Sequence, residues 1–403
     1  MNKDLLKKDL TLKEIAVNIC FGKPLNIFIF LTAVSLVLRV YYSILTGVRV
    51  PRGNAGNDAD FFIPAAEMLL SSPVQYLKEF IKMPFYIGYT SAIAAIYAAS
   101  GHSNAAVCVV QIIFSSVCPF LMWKSCENFF GDRKISIICA LMTAVLPINF
   151  RWDSQITSDS FGMFSSVLCI FAFSVYYSAE KGNRRREASL LLLSLLGFFL
   201  MRTNAGTVIA VILIAMIMDL SPKKRAVIFG VLITALVGAV LFLMTGNGAH
   251  SLEGNLDYFR KLYENGEVVQ AYYFYDLKGN ASDALGMIFY RLLYYFCPLD
   301  IGVGINGGHR LSYQLLHYLP LFPVFIWAFM GSVRGFAEKN RIAVIICWVI
   351  IVSALVQSVT EIQFDLRYRD PILPYFYILS ACEMVTFSSG IKRKTSSPPL
   401  NNS

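Results

Sequence analysis

Charge is scarce in this sequence. Only 15% of its 403 residues are Asp, Glu, Lys or Arg, while 56% are hydrophobic; ordinary soluble domains carry about 25% charged residues. A soluble globular class is excluded. No polar stretch between the apolar runs is long enough to bury its own core, so no separate soluble domain is expected. The nine cysteines (Cys20, Cys108, Cys118, Cys126, Cys139, Cys169, Cys297, Cys347 and Cys382) contain no CxxC pair. That excludes a disulfide framework or thiolate metal site and leaves them as small buried hydrophobes. His102, His250, His309 and His317 include no i, i+4 pair, so a helical histidine metal site is absent too. There is no GxGxxG, Walker A sequence or nucleophile elbow in strand–turn–helix context, which excludes a nucleotide-binding domain. No cleavable signal peptide is expected: Met1–Lys23 is a polar, Lys-bearing lead-in to a run long enough to span.

Long apolar runs are abundant, and they place the chain among all-α polytopic membrane proteins. The excess of Lys+Arg (35) over Asp+Glu (26) sits mainly in short loops and at the ends of these runs. That is a topology signal and argues against nucleic acid as a partner. Lys3, Lys7, Lys8, Lys13 and Lys23 put the N-terminal lead-in, residues 1–24, in the cytoplasm. Leu25–Leu45 then crosses outward, with Arg39 snorkelling near its outer end. The first external loop, 47–84, should carry two short surface helices separated by Pro73. Cytoplasmic loops follow at Arg184–Arg186, Lys223–Arg225 and Arg334–Arg341. A second large external region spans 246–312, and a cytoplasmic tail covers 389–403. Residues 25–388 read as one transmembrane domain of about ten to twelve helices at about 20 residues per crossing.

One inconsistency locates a non-crossing segment. Apolar stretches 85–100, 104–123 and 135–150 lie between Asp60 and Asp159. Three crossings would put those acids on opposite sides, whereas the later basic loops put Asp159 outside with Asp60. Residues 85–100, short and opened by Pro84, are the expected exception.

The segment GNAGNDADFFIPAAEMLL, Gly53–Leu70, holds Asp58 and Asp60 just beyond the first span, followed by Phe61 and Phe62 at the interface. These acids suit a turn or a helix N-cap. They suit equally a base for an acceptor hydroxyl, or a metal ligand orienting a phosphate. Asp159, after PINFRWDSQITSD, is either a helix cap or a second external acid, with Asp153 the less favoured of the two. Arg202, at the end of an apolar run, and Arg367 and Arg369, flanking Tyr368, are snorkelling residues or a fork for phosphate oxygens. External acids together with external arginines are what a phosphate-linked donor requires.

In order, NDADFFIPAAEMLL, MPFYIGYTSAIAAIYAASG, ENFFGDRKISIICALMTAVLPINFRWDSQITSD, GFFLMRTNAG and DLRYRDPILPYF resemble the multispanning GT-C glycosyltransferases. They are most similar to the dolichyl-phosphate-mannose–protein mannosyltransferase-like group and its bacterial relatives. The resemblance implies a GT-C-type helical bundle with juxtamembrane helices in the first loop. It implies a polyprenyl-phosphate sugar donor and inverting transfer at the external face to a glycan, lipid or protein acceptor. Asp58 matches the first-loop acid, with Asp60 as a second acid beside it, and Asp159 matches the second external acid. Arg202 matches a basic residue after a helical hairpin, and Arg367 with Tyr368 matches a late Arg-Tyr pair. Two positions depart from the pattern: Phe62 replaces a Tyr and Thr203 replaces a Pro. No cofactor is required, though Mg or Mn on Asp58 and Asp159 fits. A flippase of lipid-linked sugars would need inverted repeats, and none is clear. A polysaccharide polymerase or ligase would emphasise a large late external loop, which 246–310 could supply. Short basic loops and free thiols fit a bacterial inner membrane with both termini cytoplasmic.

Overall fold

The computed structural model describes residues 23–47, 58–80, 84–180, 184–202, 205–218, 288–289, 291–293, 295–296, 315–360 and 366–395. The elements are helices, with no strand among the described residues. Five helical stretches there are long and apolar enough to cross a membrane: Pro24–Thr46, Asn104–Phe130, Asp159–Ser178, Arg341–Ser358 and Arg369–Ser389. The chain is a multi-pass membrane protein. It divides into two compact units, one of Met1–Arg52, Asp58–Met201 and Met384–Ser403, the other of Gly53–Asn57 and Arg202–Glu383.

In the first unit, α1 (Pro24–Thr46) packs antiparallel to α5 (Asn104–Phe130). Ile27 and Leu31, early in α1, form a cluster with Trp123, late in α5, and with Ala140. α5 turns directly into α6 (Arg133–Val145) through two residues that each do capping chemistry. Gly131, at φ 62°, takes the left-handed conformation that closes a helix C-terminus, and its N–H bonds Glu127 O. Asp132 then accepts from Lys134 N and Ile135 N as the cap of α6. The FGDR sequence is therefore a stop and a start in adjacent residues. Pro147 opens a short 3₁₀ turn, Pro147–Asn149, where α6 ends, and a buried irregular segment leads to α7 (Asp159–Ser178). α8 (Arg184–Met201) packs on α7, with the Cys169 Sγ–H directed at Ser194 O.

The first loop holds two short helices, α2 (Asp58–Ser71) and α3 (Pro73–Phe80), divided at Pro73 as expected. α3 buries Tyr76 and Phe80 while leaving Val74 and Leu77 exposed. The pairing of Phe61 and Phe62 at the interface does not hold: Phe62 is buried and only Phe61 is partly exposed. Phe62 lies edge-on to Tyr89 at 4.7 Å, which removes it from the surface.

Residues 84–100 form α4 (Pro84–Ser100). Near its start the Tyr89 hydroxyl bonds Gln111, and near its end the Tyr97 hydroxyl bonds Asn104. Both contacts fall within the first eight residues of α5, a rise of about 10 Å. α4 therefore runs back along the start of α5, and because α1 ends and α5 begins on the same side, α4 fits the non-crossing segment between them. Ser103 caps α5 from Ala106 N, after a turn at Gly101 and His102 where both φ are positive. Gly88 on α4 meets α8 backbone to backbone: a Cβ there would stand 2.7 Å from Leu200 O.

In the second unit, α9 (Ala205–Met218) joins α11 (Arg341–Thr360) through Thr207 and Ser353, whose hydroxyls are 2.8 Å apart. α10 (Leu321–Ala337) joins α12 (Leu373–Thr395) at Gly331, where a Cβ would stand 2.5 Å from Leu379 O. Arg334 is not in a loop as expected. It belongs to α10 and holds Glu383 with two hydrogen bonds of 2.6 and 2.9 Å. The carboxylate is buried, so pairing replaces the water it has lost. The expected crossing 226–245, and the region 246–312 apart from parts of 288–296, lie outside the described residues.

Candidate active site

The acid-bearing segments of the first unit share a core. Ala59, Phe62 and Ala66 of α2 pack with Tyr89, Ile93, Ala94 and Tyr97 of α4 and with Val107 and Cys108 of α5. Ile156 and Phe161, on either side of Asp159, complete the same cluster. α2 begins at Asp58, whose side chain lies outside the described residues. Ala59 and Phe62 turn one face of this helix inward, and Asp60 stands exposed. A helix puts residues three and four apart on one face, so burial of 59, 62 and 66 sets that alternation.

Asp159 is 1% exposed and is the first helical residue of α7, within its first turn. It is not the cap; Ser158 occupies that position and makes no side-chain cap bond. A carboxylate in the first turn is stabilised by the positive end of the helix.

The segment before Asp159 is held by groups that sequence reasoning did not select. Arg39 does not snorkel. It is fully buried and ion-paired with Asp153, also fully buried. The same guanidinium donates to Asn149 O at 2.9 Å and, through Nε, to Ser35 Oγ at 3.0 Å. Asp153 Oδ1 accepts from Ser115 at 3.1 Å. Gln111 Nε2 donates to the carbonyls of Asp153 and Gln155 at 3.2 and 2.8 Å, while its Oε1 accepts from Tyr89 at 2.7 Å. Burial pushes the Asp153 carboxyl above its ordinary value, and the Arg39 guanidinium is first among the groups that oppose the shift. The signals were present: Arg39 is a charge inside an apolar helix, where a partner is the rule, and Gln111 is a lone amide in an apolar run.

These contacts also settle which ends lie together. Thr46, the last residue of α1, is 3.0 Å from Ser154 Oγ, hydroxyl to hydroxyl. The segment 146–158 therefore sits at the end of α1 from which the first loop departs. With α4 not traversing, the parity problem posed by three apolar stretches is removed.

In the second unit Arg202 is 6% exposed, directly after α8. The side chains of Arg367 and Tyr368 lie outside the described residues. Arg369 is fully buried in the 3₁₀ turn Leu366–Ile372. Its Nη1 donates to Tyr295 O at 2.7 Å and its guanidinium stands 4.9 Å from the Phe325 ring centroid. Among the described residues no three His, Cys, Asp or Glu side chains gather as a metal site. Asp153 is committed to Arg39. One carboxylate holds Mg only together with waters and substrate phosphate.

The sequence pattern of a family described as dolichyl-phosphate-mannose-protein mannosyltransferase matches residues 83–245. The match takes in Asp159 and Arg202 and leaves out Asp58, Asp60 and Arg367. No curated protein matches the chain. Among solved structures, the archaeal oligosaccharyltransferase AglB from Archaeoglobus fulgidus, in complex with an inhibitory peptide and a dolichol-phosphate, aligns at 13% identity with a TM-score of 0.49. The alignment covers 90% of this chain and 51% of that one, so this chain spans about half its length.

Proposed function

We propose that this chain is a membrane glycosyltransferase of the GT-C superfamily and moves a sugar from a polyprenyl-phosphate donor to an acceptor hydroxyl at the external face of a bacterial inner membrane; the family match over residues 83–245 supports this. The acceptor is a glycan, lipid or protein. The observation that supports this most is the core shared by α2, the helix that carries the first-loop acids in sequence, and the start of α7.

Asp58 takes the acceptor proton, with Asp60 as the other candidate. As the acceptor oxygen bonds to the anomeric carbon, the bond from that carbon to the phosphate oxygen breaks, and the centre inverts. The lipid phosphate leaves with the bonding pair, and Arg202, Arg367 and Tyr368 stabilise its charge. Arg369, engaged with Tyr295 and Phe325, anchors the turn that carries Arg367 and Tyr368. A Mg or Mn ion on Asp58 and Asp159 would supply further charge at the leaving group; no step above runs through it.

The test is transfer of radiolabelled sugar from defined polyprenyl-phosphate donors by wild type, Asp58→Asn and Asp60→Asn. A general base contributes about 10²–10⁴-fold, so Asp58→Asn should lose at least about 100-fold and Asp60→Asn much less. Full activity in both variants would overturn the assignment.

A further inference from the structure

Arg39 and Asp153 carry opposite charges through complete burial, 114 residues apart. Neither was selected by the resemblance, and the proposed transfer gives neither a chemical task. A buried pair is a poor device for stability alone, since well-packed apolar residues serve as well or better. What the pair does in space is specific. It ties α1 to a segment whose own backbone bonds are only short turns. Asn149 O takes a second Arg39 bond, Ser115 binds the far oxygen of Asp153, and Gln111 holds the carbonyls of Asp153 and Gln155. Tyr89 fixes Gln111, and its ring meets Phe62 of α2. The network thus reaches from the segment before Asp159 to the helix that opens at Asp58.

We propose that Arg39 and Asp153 are positioning residues: their ion pair, with Gln111, sets the place of Asp159 relative to α2. The functional half of this rests on the transfer proposed above; the structural half does not.

The decisive variant is Arg39→Met/Asp153→Leu in the purified full chain. Arg39→Met alone strands a buried carboxylate and lowers the unfolding temperature. The double variant removes both charges and should regain the wild-type unfolding temperature. If the pair positions Asp159, amide exchange over 146–160 in the double variant rises at least tenfold, with α5 and α7 beyond residue 160 unchanged. Its kcat for sugar transfer falls at least tenfold, with the donor KM within twofold. A merely structural pair would restore both readouts together with the fold. Gln111→Leu, which leaves the ion pair intact, is the second variant. It should change both readouts in the same direction by about threefold, and it decides the matter if the double variant does not fold. Wild-type exchange over 146–160, or wild-type kcat despite faster exchange, overturns the proposal. If the wild-type chain transfers no sugar from any polyprenyl-phosphate donor, the transfer reading fails and the positioning of Asp159 for transfer falls with it. The exchange result then still decides whether the pair holds the segment.

Discussion

The Tyr89 hydroxyl donates to Gln111 Oε1 at 2.7 Å, joining the second turn of α4 to the second turn of α5. With the Tyr97–Asn104 bond it runs α4 back along the first eight residues of α5. α1 and α5 pack antiparallel, so α1 ends and α5 begins on one side, and the chain between them, α4 included, leaves from and returns to that side.

The topology predicts labelling by a membrane-impermeant thiol reagent. Asp60→Cys and His102→Cys, before and after α4, should react from one side of the membrane. Arg133→Cys, at the α5–α6 turn, should react from the other. Reaction of His102→Cys on the same side as Arg133→Cys would mean that α4 crosses.

Gly88 should tolerate no side chain. A Cβ at 2.7 Å from Leu200 O meets backbone, which cannot swing aside. Gly88→Ala should destabilise by about 1–3 kcal/mol, read as a lower unfolding temperature in detergent. Gly197→Ala, where nothing lies within 4 Å, is the control and should be neutral or slightly stabilising.

Glu383 is held by Nε and Nη2 of Arg334, one bond to each carboxylate oxygen. Glu383→Gln keeps the shape and removes the charge. With the Arg334 side chain 40% exposed, water takes up part of the loss. The expected cost is about 1–3 kcal/mol, in the range of charged hydrogen bonds. An unchanged unfolding temperature would show the pair to be ornamental.

Asp159→Asn keeps the size of the side chain at the start of α7. If the carboxylate acts in transfer, kcat should fall at least about 100-fold. The unfolding temperature should move little, because Asn also suits a helix start. A loss of stability with kcat intact would return Asp159 to a structural role.

Much of the helical order was legible in advance. The break at Pro73 follows from local chemistry, since proline acts on the backbone within a few positions. Long apolar runs marked the spanning helices for the same reason. Arg39 and Phe62 were misread because each has a partner far away in sequence. A snorkelling arginine and a paired one have the same neighbours in the chain. Arg334 was read as part of a basic loop because its partner, Glu383, lies 49 residues on.

The amino-acid sequence alone determined that this is an all-helical, multi-pass membrane protein with acids in its first loop and before α7, because hydropathy and capping are local properties. Residues 85–100 were already the expected non-crossing segment; only the tertiary structure decided the pairing of Asp153 with Arg39 and the core shared by α2 and the start of α7. Each depends on a contact between residues distant in the chain, and burial makes such contacts obligatory: a charge taken out of water must find its opposite, wherever in the sequence that lies.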